Sequence, residues 1–217
     1  MKSILLSLHN AARKLFRAPL YRMRLKNREA SILCNNCAGG CIAHDLHLQF
    51  RSPFVNLWLS PTDFIKYCED IRHYRNAPLQ FIQTGQDYPI ARLDDITIHF
   101  LHYRSEAEAE KKWTERTRRM DTANIRCILV AFGECTEQDI RRFHRLPYPT
   151  AALVHLPGYQ NEHTHLIRGF ENEPEIGNVT DYKPLPALGR RFYDDFDFVG
   201  FLNSDSQAIQ SCKNDVK

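Results

Sequence analysis

Apolar residues recur at two different spacings along this chain, and the change between them marks its organisation. From Lys2 to about Arg17, Ile4, Leu5, Leu8, Ala12, Leu15 and Phe16 fall at helical spacing, with Lys2, Arg13, Lys14 and Arg17 toward the other side. Ala18-Pro19 is expected to stop this helix, and Tyr21 to Arg28 reads as a basic connector. From Ala30 onward, short apolar runs alternate with amphipathic stretches. Ala30–Cys34, Val55–Leu59, Leu79–Ile82, Ile96–Leu101, Ile125–Phe132 and Ala151–Leu156 read as strands.

Start signals for helices stand between these runs. Ser60-Pro61-Thr62-Asp63 supplies an N-cap, a proline at the first helical position and an acid in the first turn. Ser105-Glu106-Ala107-Glu108 opens a helix to about Arg119, and Thr136-Glu137-Gln138-Asp139 opens another. Strand and helix in alternation predict an α/β fold, a mostly parallel open sheet flanked by helices, preceded by an N-terminal amphipathic basic helix. Beyond Pro157 the periodicity fails to about Gly189. Phe192–Leu202 then reads as an aromatic cover over the core, and 204–217 as a polar tail. The organisation expected is an arm over 1–28, one domain over 29–203, and the tail.

Charge sharpens that division. Residues 1–28 carry eight Lys or Arg and no acid, whereas the other 189 residues carry 21 basic and 26 acidic side chains. The body is mildly acidic, so no nucleic-acid partner is expected, and the basic arm is the anomaly. Two readings of it stand. It is an interfacial helix on an anionic membrane surface, or else a surface helix packed on the protein's own core with its apolar face buried, or a frayed terminus. With 217 residues and 43% hydrophobic content the chain can bury a real interior. No apolar run reaches the roughly 18 residues of a membrane span, and no secretory signal is evident, so a cytoplasmic protein is expected, with the inner membrane face as its peripheral location.

Candidate chemistry gathers in two places. Cys34-Asn35-Asn36-Cys37-Ala38-Gly39-Gly40-Cys41 follows a strand and opens a helix, with His44 and His47 just beyond. Metal-ligand spacing is one reading, but Cys34 and Cys41 belong to elements that turn them into the core, so no metal is expected. A Gly-rich turn at a helix start offers backbone N–H groups to an anion instead, through Asn35, Asn36, Gly39 and Gly40. A thiol there, Cys37, would have its thiolate stabilised and could act as a nucleophile. The second place is Ile98-His99-Phe100-Leu101-His102-Tyr103. His99 and His102 would face opposite sides of a regular strand, and His102, nearer its end, is the better candidate base. Lys112 and Arg116, one turn apart on the next helix, could face an anionic donor. Asp194-Asp195-Phe196-Asp197 contains a D-x-D and His163-Thr164-His165 a histidine pair, and neither has a third ligand placed.

Several runs together resemble a known family. They are Leu25-Lys26-Asn27, Asn35-Asn36-Cys37-x-Gly39-Gly40, Ser52-Pro53, Tyr88-Pro89 with Leu93-x-Asp95-Ile96, and His99-Phe100-Leu101-His102-Tyr103. Ala109-x-x-x-Trp113-x-x-Arg116, Phe196-Asp197-Phe198-Val199 and Leu202-Asn203 complete the set. Over about residues 25–203 the chain resembles a bacterial domain-of-unknown-function family often labelled exopolysaccharide biosynthesis protein. That family usually has an aromatic after Cys37, where this chain has Ala38, and a serine at the position of Cys34. The resemblance implies a cytoplasmic α/β protein of capsule or cell-surface polysaccharide biosynthesis and supplies no reaction and no cofactor. Two functions are expected from it. One is a transferase moving a sugar or acyl group from an activated donor to a polysaccharide precursor. The other is a non-catalytic scaffold of a membrane-associated assembly, and exposure of Cys37 discriminates the two.

Overall fold

A computed structural model describes residues 2–158 and 163–204. The main sheet has four parallel strands in the order β1 (Ser31–Cys34), β5 (Ile125–Val130), β6 (Thr150–Val154), β7 (Thr164–Leu166). Parallel neighbours need crossover connections, and these carry the helices. α3 (Ala38–Asp45) follows β1 directly, and α7 (Glu137–His144) links β5 to β6. Every residue of β1, β5 and β6 is buried, as expected for strands covered on both faces.

The alternation of side chains along these strands builds two cores. Leu33, Cys127, Leu129, Ala152 and Val154 face α4 (Pro61–Glu69), α5 (Ile71–Tyr74), α6 (Glu106–Arg119) and α7. Ile32, Cys34, Ile128, Val130, Ala151 and Leu153 face α3, the 3-10 turn Phe192–Asp195 and α8 (Phe198–Asn203). The aromatic segment at 192–202 is thus the cover the sequence predicts. The cap signals also form: Ser60, Ser105 and Thr136 each accept the N–H three residues on.

Four expectations change. In the run Val55–Leu59, Val55, Leu57 and Leu59 are buried, but the run is not a strand. Asn56 has φ 64°, which breaks the extended geometry and leaves one bridge, from Trp58 to His99. The segments at 79–82 and 96–101 leave the parallel sheet and form β2 (Gln80–Ile82) and β4 (Ile96–His99) of a separate antiparallel sheet. Its middle strand, β3 (Ile90–Leu93), joins β4 through a two-residue turn with Asp94 at φ 58°. β7 lies inside the stretch without periodicity, pairing residue for residue with β6. The tail at 204–217 lies outside the described residues beyond Ser204.

Ala18-Pro19 does not stop the first helix. α1 (Lys2–Ala12) runs through one π turn, Arg13–Arg17, into α2 (Ala18–Arg24). The Ala18 N–H donates to the Arg13 carbonyl, so the wide turn has already shifted the hydrogen-bond ladder where Pro19 lacks a donor.

Candidate functional site

The carboxyl edge of the parallel sheet is where ligands of open α/β folds gather, and β1 ends there in Asn35 and Asn36. Asn35 is fully buried and turned inward. Its Nδ2 donates to the Val130 carbonyl at 3.0 Å and its Oδ1 accepts the Val130 N–H at 2.8 Å, adding a rung between β1 and β5. Asn36 accepts the Ala38 N–H at 2.9 Å, starting the turn into α3. The two glycines serve close packing. A Cβ on Gly39 would lie 2.7 Å from the Cβ of Cys34, and one on Gly40 would lie 3.3 Å from Val55. The Asn35 and Asn36 side chains are therefore held within the protein, and the two glycines let α3 sit close against β1 and Val55.

Cys37 is half-buried at the start of α3. Burial, with Cys41 adding, pushes its thiol up to about 11, opposite to the shift an activated nucleophile needs. His102 is exposed, and its backbone N–H donates to Asn56 at 3.3 Å. Cys37 approaches the adjacent Leu57 carbonyl at 3.9 Å, so the two lie against one segment without a hydrogen bond between them. Arg116 is buried: it donates to the Val55 carbonyl at 3.2 Å and to the Tyr103 hydroxyl, and lies over Phe50. It braces the 50–59 segment from within. Lys112 pairs instead with Glu115 on its own helix.

A residue passed over in the sequence stands at this edge. His99, on β4, stacks on Trp58 with ring centroids 3.8 Å apart, and Phe132 and Tyr88 close the group at 6.1 Å. Its Nδ1 is buried without a hydrogen-bond partner, and burial, opposed weakly by Asp63, lowers its pKa. A neutral imidazole beside partly exposed aromatic faces can accept a proton and stack a planar or ring-shaped ligand. The alternation of Ile96 and Ile98 with Thr97 and His99 was the available signal.

The D-x-D carboxylates are all committed to ion pairs: Asp194 to Arg13, Asp195 to Lys183 and Arg190, and Asp197 to Arg24. Of the histidine pair, His165 packs on Phe196 and His163 lies near His144. Among the described residues, no group of three or more His, Cys, Asp or Glu is arranged to hold a metal ion.

The first of those pairs anchors the N-terminal helix, and it turns the helix opposite to the reading that buries the apolar face on the core. Arg13, only 3% exposed, donates to Asp45 at 2.7 Å, to Asp194 at 2.7 Å, to the Tyr193 hydroxyl and to the Gly189 carbonyl. Burial opposes its charge, but the hydrogen bonds to Asp194 and Asp45 and the charge of Asp194 outweigh it and raise its pKa. His9, also 3% exposed, accepts the Gly189 N–H at 3.0 Å and stacks on Tyr182. The polar face is thus turned inward. Ile4, Leu8, Leu15, Phe16, Leu20 and Met23 are turned outward, with exposures from 53% to 82%. Neither reading of the arm foresaw a helix docked on the body with its apolar side free. No helix among the described residues is long and apolar enough to cross a membrane.

The pattern of a domain of unknown function, DUF1919, matches residues 8–203. The chain belongs to the DUF1919 family. An uncharacterized protein of Haemophilus influenzae is 37% identical over 195 residues, covering 89% of this chain and 94% of the relative. The DUF1919 span takes in His9 and Arg13 as well as their partners Asp45, Gly189 and Asp194. The docked helix is accordingly inside the matched domain from Leu8 onward.

Proposed function

We propose that this DUF1919 protein works on an anionic membrane surface, as an accessory protein of a cell-surface polysaccharide-assembly system. One observation carries the membrane part: the N-terminal helix is fastened by buried His9 and Arg13, so that its apolar stripe faces away from the protein. A four-residue stride overshoots an α-helical turn by about 40°, so a stripe at positions 4, 8, 16 and 20 would wind round the helix. The extra residue in the Arg13–Arg17 turn takes up that drift and keeps Leu15, Phe16, Leu20 and Met23 exposed on the outer side. Large apolar side chains contribute about 1.5–3 kcal/mol each when fully buried, so even partial insertion of six yields several kcal/mol. Basic residues near an anionic leaflet add about 1 kcal/mol each before screening. Charge complementarity favours this occupant over a second copy, which would oppose two arms that each keep an excess of positive charge after Arg13 and Arg24 are paired.

The polysaccharide setting rests on the resemblance carried by the Asn-Asn-Cys-x-Gly-Gly and His-Phe-Leu-His-Tyr runs. The raised pKa of Cys37 and the packing roles of Asn35, Gly39, Gly40 and Arg116 favour an accessory over a catalytic role. A second reading, transfer of a sugar or acyl group from an activated donor, is favoured by His99 beside Trp58 at the sheet edge. His99→Gln and Trp58→Ala separate the two: loss of thermal protection by nucleotide sugars or acyl-CoA in both variants supports the donor reading.

Co-sedimentation with phosphatidylglycerol-containing vesicles tests the membrane reading. The folded full chain is expected to bind at low salt, to bind less as salt rises, and to lose binding in the Leu15→Ser/Phe16→Ser variant. A protein that stays in the supernatant, or a dimer in solution that hides Leu15 and Phe16, overturns it.

A further inference from the structure

Beside the outward stripe, the helix forms one wall of a cavity of ≈ 360 Å³ against the end of α3 and the 182–191 segment. Asn10, Lys14, Ala18 and Arg22 recur every fourth residue along that wall, one flank round from the stripe. Arg191 faces them from the opposite side, its Nη1 donating to the Thr180 carbonyl, its guanidinium 4.7 Å from the Tyr182 ring centre and its Nε buried without a hydrogen-bond partner. The charges do not balance. At the base, Arg13 is met by Asp45 and Asp194, but Lys14, Arg22 and Arg191 have no carboxylate partner among the described residues. Arg22 instead donates its Nε to the Ala18 carbonyl at 3.0 Å and holds its Nη1 3.0 Å from the ring of His47, a neutral partner that leaves its charge unmatched.

Four cations against the two carboxylates leave a net excess of positive charge around one opening, and an anion there would relieve their repulsion. The donors present, two guanidinium groups and one ammonium, suit a phosphate oxygen set. The cavity has room for a phosphodiester with part of its substituent. Exposed Leu15 and Met23 directly follow Lys14 and Arg22 in the chain, so the bilayer that takes the stripe would bring its headgroups to this flank. We propose that Lys14, Arg22 and Arg191 form a binding site for the phosphate of an anionic lipid headgroup. The site deepens the membrane reading and rests on it.

Two measurements on the full chain test the site. Inorganic pyrophosphate, as a soluble probe, should raise the melting temperature of the wild type and of Leu15→Ser/Phe16→Ser. It should not protect Lys14→Gln/Arg22→Gln. Binding to phosphatidylglycerol vesicles should then weaken in Lys14→Gln/Arg22→Gln roughly tenfold more than in Lys26→Gln/Arg28→Gln, which loses the same charge outside the cavity. Pyrophosphate should compete with the vesicles in the wild type and not in the cavity variant. Equal weakening in the two charge variants overturns the site while the membrane reading survives. Pyrophosphate protection with no excess loss of vesicle binding assigns the cavity to a soluble phosphate and overturns the lipid. Absence of vesicle binding by the wild type is the separate failure of the membrane reading.

Discussion

Arg13 is the residue on which the placement of the N-terminal helix turns. Its guanidinium joins the π turn after α1 to Asp45 at the end of α3 and to Asp194 in the cover segment, with both carboxylates nearly out of solvent. Arg13→Met keeps the stem and removes the charge, leaving those carboxylates unmatched. The expected cost is about 3–5 kcal/mol, read as a fall in denaturant midpoint at unchanged slope. Gly189 is the counterpart in the backbone. It sits at φ 72°, and a Cβ there would come within 2.9 Å of the Arg13 amide nitrogen. Gly189→Ala should therefore destabilise by about 1–3 kcal/mol, and more proteolysis within the first helix than in the body would show that undocking is the cause. His99 sets a pH dependence. Burial lowers its folded pKa below the ordinary 6.5, so the unfolded chain takes up the proton first as pH falls. Stability attributable to it is full above pH 6.5 and declines below. Melting curves across that range should slope less in His99→Gln than in the wild type.

At the scale of elements, a helix usually spends its apolar face on the protein's own core, and the first helix here does the reverse. Replacing Leu15 and Phe16 by serine should consequently change the melting temperature little, since substitutions at exposed positions away from special contacts stay within about 0.5 kcal/mol. A large drop would show that these side chains are covered in the folded protein. The caps behave as ordinary helix starts. Thr136 and Asp139 exchange hydrogen bonds, so Thr136→Ala should cost about 1 kcal/mol through loss of the first turn of α7. The segment Val55–Leu59 shows why an apolar run is a weak guide to strand pairing. Burial of Phe54, Val55, Leu57 and Leu59 requires only that the run be covered, and a single residue with positive φ, Asn56, removes it from the ladder.

For the whole molecule, the docked helix closes one side of the second core, and its removal would unseat more than itself. Deleting residues 1–24 takes away Arg13, His9 and Ala18 together and strands Asp45, Tyr193 and Asp194. The truncated body is expected to melt lower than any single exposed-face variant. That is why point changes on the outer stripe, and not truncation, isolate its interaction with a membrane.

What the sequence determined by itself is local. The buried strands Ser31–Cys34, Ile125–Val130 and Thr150–Val154, the three capped helices and the aromatic cover at 192–202 all follow from apolar periodicity and cap chemistry, which act over a few residues. The concentration of basic charge in the first 28 residues was equally legible. Tertiary structure decided the rest, because each remaining question concerned partners far apart in the chain. Which strands share a sheet depended on pairings such as Trp58 with His99 and β6 with β7. Whether Asn35, Gly39 and Gly40 serve a ligand or a packing contact depended on Val130, Cys34 and Val55. Which side of the first helix faces the protein depended on Asp45 and Asp194, 32 and 181 residues away. Hydrophobic periodicity finds the apolar side of a helix, but two distant carboxylates can bind the other side more strongly once both are held in a folded core.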